Sequence, residues 1–280
     1  MLAIIGGTGI YQLDAFDVLE VHHLDTPYGH AEVTECQFEG RKVFFLARHG
    51  SSHQLLPHEV NYRANIYGLK SLGITQVIGL SAVGSLQIEV KPGDLSIPDQ
   101  YMDFVKGARE KTFFGNGIAA HVSTAEPTCR ELADDIEKAA KKAGIELHRN
   151  KTYACVDGPR LGTKAESEFL RGPAGCDLVG MTNVPEVFLA REAQLAYCTI
   201  TIATDYDCWQ DDPSLHVTVD KVISRYGESL QKATQLLLAY LREPEIEYQC
   251  QCRSSLAGAI LTPEQALSDE QKERLAVLKS

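Results

Sequence analysis

Asp205 and Asp207, in the run Asp205-Tyr206-Asp207-Cys208-Trp209, are two carboxylates placed directly after the apolar stretch Tyr197–Ala203. Residues two apart point to the same side wherever the chain stays extended. Carboxylates held that close can differ in pKa, one kept protonated as an acid and the other charged as an acceptor. A helix N-cap or a solvated turn would use the same residue types. Three other short segments also follow apolar runs. Arg48-His49-Gly50 ends Val43–Ala47, and an arginine leaving a buried strand needs a phosphate or a carboxylate partner, a structural salt bridge included. Gly6-Gly7-Thr8-Gly9 follows Leu2–Ile5, where glycine backbone N–H groups and the Thr8 hydroxyl could approach an anion. Ser81-Ala82-Val83-Gly84-Ser85, at the end of the Val77 run, is a third turn of small residues. Together these strand ends imply an oxyanion, most simply phosphate, in a crevice at the carboxyl ends of a sheet. The glycine run is neither a dinucleotide fingerprint, since Gln12 stands where a small residue is required, nor a nucleotide P-loop, since no Gly-Lys-Ser/Thr follows.

Positioning such turns requires strands. The apolar runs Leu2–Ile5, Val43–Ala47, Val77–Ala82, Asp177–Met181 and Tyr197–Ala203 are predicted strands. Glu59–Leu72 and Glu131–Ala143 are predicted helices, stopped by Gly73 and Gly144. A longer helix is predicted over Val219–Leu241, whose apolar positions recur with a period near 3.6. Alternation of this kind predicts an α/β fold: a single domain with a mixed, largely parallel central sheet and helices on both faces. The packed body is predicted to span 1–242, because Arg242–Ser255 is polar and broken by Pro244. Residues 243–280 are read as a C-terminal extension. Thr262-Pro263-Glu264 looks like a helix start, Ser268 and Gln271 have the spacing of a capping box, and Leu275, Val277 and Leu278 form an apolar edge. That helix is expected to dock on its own subunit or on a neighbouring one.

The 280 residues carry 27 Lys and Arg against 38 Asp and Glu, a formal net charge of −11, which argues against coating a nucleic acid. No run approaches the roughly 20 apolar residues of a membrane-spanning helix, and Met1 leads into Leu2-Ala3-Ile4-Ile5 without a basic leader. The expectation is a soluble, cytoplasmic chain without nucleic-acid or membrane partners. Eight cysteines are scattered without a zinc-finger spacing and are read as buried reduced thiols. Cys250-Gln251-Cys252 differs: it suits a local redox pair, a bridge to another cysteine, or two unrelated thiols.

The segments IIGGTG (4–9), ARHG (47–50), SAVGS (81–85), GPR (158–160), GMTNVPE (180–186) and ATDYDCW (203–209) stand in the order of one family. In them the chain resembles the trimer-type purine nucleoside phosphorylases and 5′-methylthioadenosine phosphorylases, nearest to the latter branch. The likeness covers about residues 3 to 240. It implies phosphorolysis of 5′-methylthioadenosine to adenine and 5-methylthioribose 1-phosphate, a salvage reaction. Phosphate is then a co-substrate, and no metal or organic cofactor is needed. By resemblance Thr8, Arg48, His49, Ser81, Ala82 and Thr182 hold phosphate, and Met181 lies by the ribose. Asp205 faces N7 of the base as the proton donor, with Asp207 beside the exocyclic amino group. Val219, Val222 and Ile223 line an apolar pocket for the methylthio group, and His121 enters the site of the next subunit of a homotrimer or hexamer. A carboxylate accepts a hydrogen bond from the amino group of adenine but would meet another acceptor on a 6-oxopurine.

Two positions depart from the family pattern. Leu161-Gly162 follows Gly158-Pro159-Arg160 where many relatives place an aromatic, so Leu161 would cover the purine without stacking. Gly180 stands where some relatives have a polar residue beside Met181. Relatives that act on methylthioinosine share the leucine, which keeps methylthioinosine or another 6-oxopurine nucleoside as the alternative substrate. A nucleoside-binding module without catalysis is a more distant alternative, one that would leave the aspartate pair without a task.

Overall fold

Alternation along β1 (Leu2–Gly6) sends Leu2 and Ile4 into one apolar cluster and Ala3 and Ile5 into another, so the strand is covered on both faces. β4 (Arg41–Ala47) divides the same way, with Phe44 and Leu46 facing one side and Val43 and Phe45 the other. The computed structural model describes residues 1–7, 15–210 and 219–280, with the backbone alone over 219–228. On the first face lie α1 (Tyr62–Ser71), α4 (Asn183–Glu192) and α6 (Asp269–Lys279), and on the second α2 (Arg130–Lys142) and α5 (Val219–Leu241). Helices therefore cover both faces, as predicted. No helix among the described residues is long and apolar enough to cross a membrane.

Among the described residues the sheet has nine strands. The remaining strands are β2 (Asp17–Thr26), β3 (Gly29–Phe38), β5 (Gln76–Ser85), β6 (Leu95–Asp103), β7 (Leu147–Cys155), β8 (Leu178–Gly180) and β9 (Ala196–Asp205). Parallel pairs join β4, β1, β5 and β9 through the centre, and β6, β7 and β8 beside it. Antiparallel pairs β5–β8 and β6–β9 then close β5, β9, β6, β7 and β8 into a ring. β5 belongs to both halves. On one side it pairs with β1 only over Gln76–Gly79, and β8 joins it only at Gly84 and Ser85. Between those pairings the end of β5 opens a gap in the sheet.

Sequence patterning located the strands written as continuous apolar runs and missed those broken by polar residues. The hairpin β2–β3 and strands β6 and β7 were not predicted; β2 is mostly exposed and lacks a clean apolar alternation. The predicted start of α1 at Glu59 is corrected to Tyr62. Glu59 uses its carboxylate on the Leu56 N–H at 2.8 Å, and the Asn61 side chain caps the helix by accepting from the Ala64 N–H at 3.1 Å. Gly73 and Gly144 sit just past α1 and α2 with φ of +76° and +68°, the left-handed geometry that ends a helix cheaply only at glycine. Thr262-Pro263-Glu264 starts a 3₁₀ turn, Glu264–Ala266, in place of a helix. The helix itself begins at Asp269, and Ser268 and Gln271 form the predicted capping box. Leu275 and Leu278 of α6 are buried in the cluster that contains α1, and Lys70 donates to the Ser280 carbonyl, so the extension docks on its own chain.

Candidate active site

A cleft of about 1220 Å³ opens over the gap at the end of β5. Its walls come from the ends of β1, β4, β5, β8 and β9, with the 156–162 loop and α3 (Lys164–Arg171) closing one side. Arg48, His49, Ser81, Ala82, Leu161, Met181, Thr182, Asp205 and Asp207 all line this one cleft. Thr8 lies outside the described residues, as do the side chains of Val219, Val222 and Ile223. His121 does not line it: the residue is exposed, its backbone N–H bonded to the Ala259 carbonyl at 3.0 Å.

Arg48 emerges from β4 2% exposed and meets a carboxylate that sequence reasoning did not single out. Its Nε and one terminal nitrogen donate to the two oxygens of Glu186 at 2.6 and 2.7 Å, and the other terminal nitrogen donates to the Leu80 carbonyl at 3.0 Å. Glu186 in turn accepts from the Tyr197 hydroxyl at 2.8 Å, which accepts from Thr199 at 2.8 Å. A structural ion pair therefore fixes the guanidinium, and each terminal nitrogen keeps one N–H beyond these bonds. Next to it, His49 holds its Nδ1 2.8 Å from the Leu55 carbonyl, which can only accept, so Nδ1 carries the proton. Burial, then the Arg48 charge, push the His49 pKa down to about 4. At neutral pH the ring is uncharged and its Nε2 is an acceptor.

On the opposite wall, Asp205 ends β9 and accepts from the Thr204 hydroxyl at 2.6 Å and the Asp207 N–H at 2.7 Å. The extended geometry expected of this pair is corrected here. Asp207 has φ of +51°, so the chain turns sharply after β9 and the backbone N–H of Asp207 closes onto the Asp205 side chain. The turn, rather than a continued strand, brings Asp207 to the cleft beside Asp205, the last residue of β9. Burial raises the Asp207 pKa from its ordinary value, opposed by the Ser167 hydroxyl and the Cys208 backbone. Trp209 holds the far end of the turn by donating to the Ser85 carbonyl at 2.8 Å, and Arg171 lies 4.2 Å over its ring. Gly84 has a packing reason to be glycine: a Cβ there would sit 3.1 Å from Asp205 Oδ1 and 3.2 Å from Asp207 Cβ.

The two departures in the sequence also have physical accounts. A Cβ on Gly180 would run into the Tyr153 hydroxyl, which stands 3.3 Å from Ser81 Oγ. The hydroxyl of this buried β7 tyrosine occupies the space that a side chain at position 180 would need. Leu161 is 48% exposed over the cleft, and Phe169 of α3, 50% exposed, lines it too, so an aromatic face is present from a different element. Arg109 fastens the floor, donating to the carbonyls of Met181 at 2.7 Å, Val184 at 2.8 Å and Asp157 at 2.9 Å. Among the described residues, the two side-chain groups able to ligate a metal, Cys129 with Cys250 and Cys252 and Glu20 with His22 and Glu35, are not among the cleft-lining residues.

Residues 1–242 match the family described as the phosphorylase superfamily. The chain belongs to that superfamily. It is 42% identical over 280 residues to the S-methyl-5′-thioadenosine phosphorylase of Geobacter sulfurreducens, covering 99% of this chain and 97% of that one. Against the S-methyl-5′-thioadenosine phosphorylase of Hyperthermus butylicus the identity is 43% over 262 residues, 93% of this chain and 95% of the relative. A solved methylthioadenosine phosphorylase from an antarctic soil metagenomic library superposes with a TM-score of 0.90 at 41% identity, covering 99% and 98% of the two chains. The Schistosoma mansoni methylthioadenosine phosphorylase in complex with adenine gives 0.86 at 32% identity, covering 93% and 99%. In this superfamily member Gly180 and Tyr153 must change together. Gly180→Ala is expected to lower stability by about 1–3 kcal/mol through overpacking, with part of that recovered when Tyr153→Leu is added. Urea unfolding of the single and double variants measures both, and equal losses in the two would remove Tyr153 as the cause.

Proposed function

We propose that this chain splits 5′-methylthioadenosine with inorganic phosphate, releasing adenine and 5-methylthioribose 1-phosphate. The observation that carries the reading is the buried Asp205–Asp207 pair sharing one cleft with Arg48, His49, Ser81 and Thr182. Thr8, Arg48, His49, Ser81, Ala82 and Thr182 hold phosphate, the co-substrate, and the chemistry needs no cofactor. As the C1′–N9 bond breaks, positive charge grows on the sugar and the phosphate anion on its other face stabilises it. A phosphate oxygen then bonds C1′, while the base takes the bonding electrons and a proton at N7. Asp205 holds that proton, and Asp207 accepts from the exocyclic amino group. Met181 lies beside the ribose, Leu161 covers the purine, and Val219, Val222 and Ile223 line the methylthio pocket. His121, exposed on its own chain, completes the site of the next subunit in a homotrimer or hexamer acting in the cytoplasm.

Phosphate-dependent base release from methylthioadenosine, adenosine, methylthioinosine and inosine, run side by side, tests this reading. Adenine released fastest from methylthioadenosine, and none without phosphate, is the expected result. Hypoxanthine release dominating would keep a phosphorylase and overturn the substrate. The phosphate site has its own readout in His49. Its ring is expected to titrate near pH 4 in the free protein, well below an ordinary histidine. Phosphate adds negative charge beside Nε2 and is expected to move that titration upward. Proton NMR of the ring with and without phosphate measures the shift, and an unchanged titration would remove His49 from the anion site.

A further inference from the structure

We propose that Cys129, Cys250 and Cys252 form a three-thiolate site for a single thiophilic cation of the zinc class, separate from the cleft. Their sulfur atoms all lie within 4.8 Å of one another, with Cys129 Sγ 3.5 Å from Cys250 Sγ. Zinc–sulfur bonds of about 2.3 Å place the sulfurs of a tetrahedral site about 3.8 Å apart, inside that range. Cys129 is fully buried and Cys252 5% exposed, whereas Cys250 is half-buried. A water molecule can therefore reach the fourth position from the Cys250 side.

Cys129 stands at the N-cap of α2 without a side-chain capping bond, so its sulfur is not committed to the helix. The backbone N–H groups of Cys252 and Arg253 turn toward the Cys250 sulfur, and the Arg191 charge lies near Cys252. A metal-bound thiolate at Cys250 would accept from those N–H groups. Sequence spacing could not show the site, because its first ligand is 121 residues from the second. Only the packing of the C-terminal segment against the start of α2 brings them together.

Binding is a simple exchange: each thiol gives up its proton to solvent, three per ion, and no electrons move. The ion would fasten the segment after α5 to α2 and, through the 2.7 Å bond from the Cys129 N–H to the Tyr197 carbonyl, to β9. A disulfide between two of the three is the competing chemistry; it requires an external oxidant and leaves one thiol without a second partner.

The test uses the full chain, reduced and kept under argon, with Zn²⁺ and Co²⁺ as probes. One zinc per chain retained through gel filtration, a thiolate-to-cobalt charge-transfer band in the near ultraviolet, and a zinc-dependent rise in Tm are expected. Cys250→Ser should lose stoichiometric zinc and Cys208→Ser should keep it. If Cys250→Ser does not fold, the cobalt spectrum of the unaltered chain decides. Absence of the band in the reduced chain, a band that survives Cys250→Ser, or a disulfide within the cluster that forms in preference to metal uptake would each overturn the proposal.

Discussion

Replacing Asp205 by Asn is expected to cut kcat/KM for 5′-methylthioadenosine by about 10²–10⁴-fold, the usual worth of a positioned proton donor. Inosine analogues should lose less, because an amide beside N7 can also donate to the neighbouring 6-oxo group, where the Asp205 carboxylate would stand as a second acceptor beside Asp207. The unmatched pair costs about 1–3 kcal/mol, so preference should move toward the 6-oxopurine by about 10-fold to over 100-fold. The geometry makes the substitution selective. Asp205 Oδ2 accepts from Thr204 and Oδ1 from the Asp207 N–H. Asn can keep only one of those bonds with its oxygen, and keeping the Asp207 N–H preserves the turn. Rates for the four nucleosides, measured on the variant and the unaltered chain at one phosphate concentration, give the answer. An unchanged ratio of adenine to hypoxanthine release would show that Asp205 does not read the base.

Arg48→Met is expected to lower stability by about 3–5 kcal/mol, the cost of leaving Glu186 charged, buried and without its cation. Both partners are 2% exposed, so solvent offers no substitute. Arg48→Met combined with Glu186→Gln should recover most of that loss, since the neutral amide keeps a carbonyl oxygen for the Tyr197 hydroxyl. Phosphate affinity should not recover in the double variant, because the guanidinium N–H groups are still missing. Urea midpoints separate the structural part and the KM for phosphate separates the functional part. A single-variant loss below about 1 kcal/mol, as for an exposed pair, would mean that the pair contributes little to the fold.

These two cases mark where sequence reasoning was strong. Asp205 and Arg48 were legible because each directly follows an apolar run, and a polar residue at the end of a buried strand is delivered to one edge of the sheet whatever the surrounding topology. Glu186 was not legible, though it lies in a motif the sequence displayed: nothing local relates it to Arg48, 138 residues away. Tyr153 gave no signal, since a tyrosine in a strand is ordinary core until Gly180 and Ser81 are seen against its hydroxyl. Helix α3 was missed because it is short, α4 because Pro185 and a non-helical Val184 interrupt its start and nearly all of it is buried, and β2 because most of it is exposed. The raised carboxyl of Asp207 depends on burial by residues remote in sequence, with Ser167 beside it.

Sequence by itself determined the α/β alternation, the central strands β1, β4, β5 and β9, the capped ends of α1, α2 and α6, and the residue types gathered at the strand ends. Local chemistry sufficed there, because propensity, capping and apolar periodicity act within a few residues. Tertiary structure alone decided that β5 would change partners from β1 to β8 and leave a gap above Ser81. It decided that Arg48 would be held by Glu186, and that Asp207 would reach the cleft through a left-handed turn. Each of those outcomes depends on which distant backbone or buried charge arrives next to a residue, and that is set by packing the whole sheet.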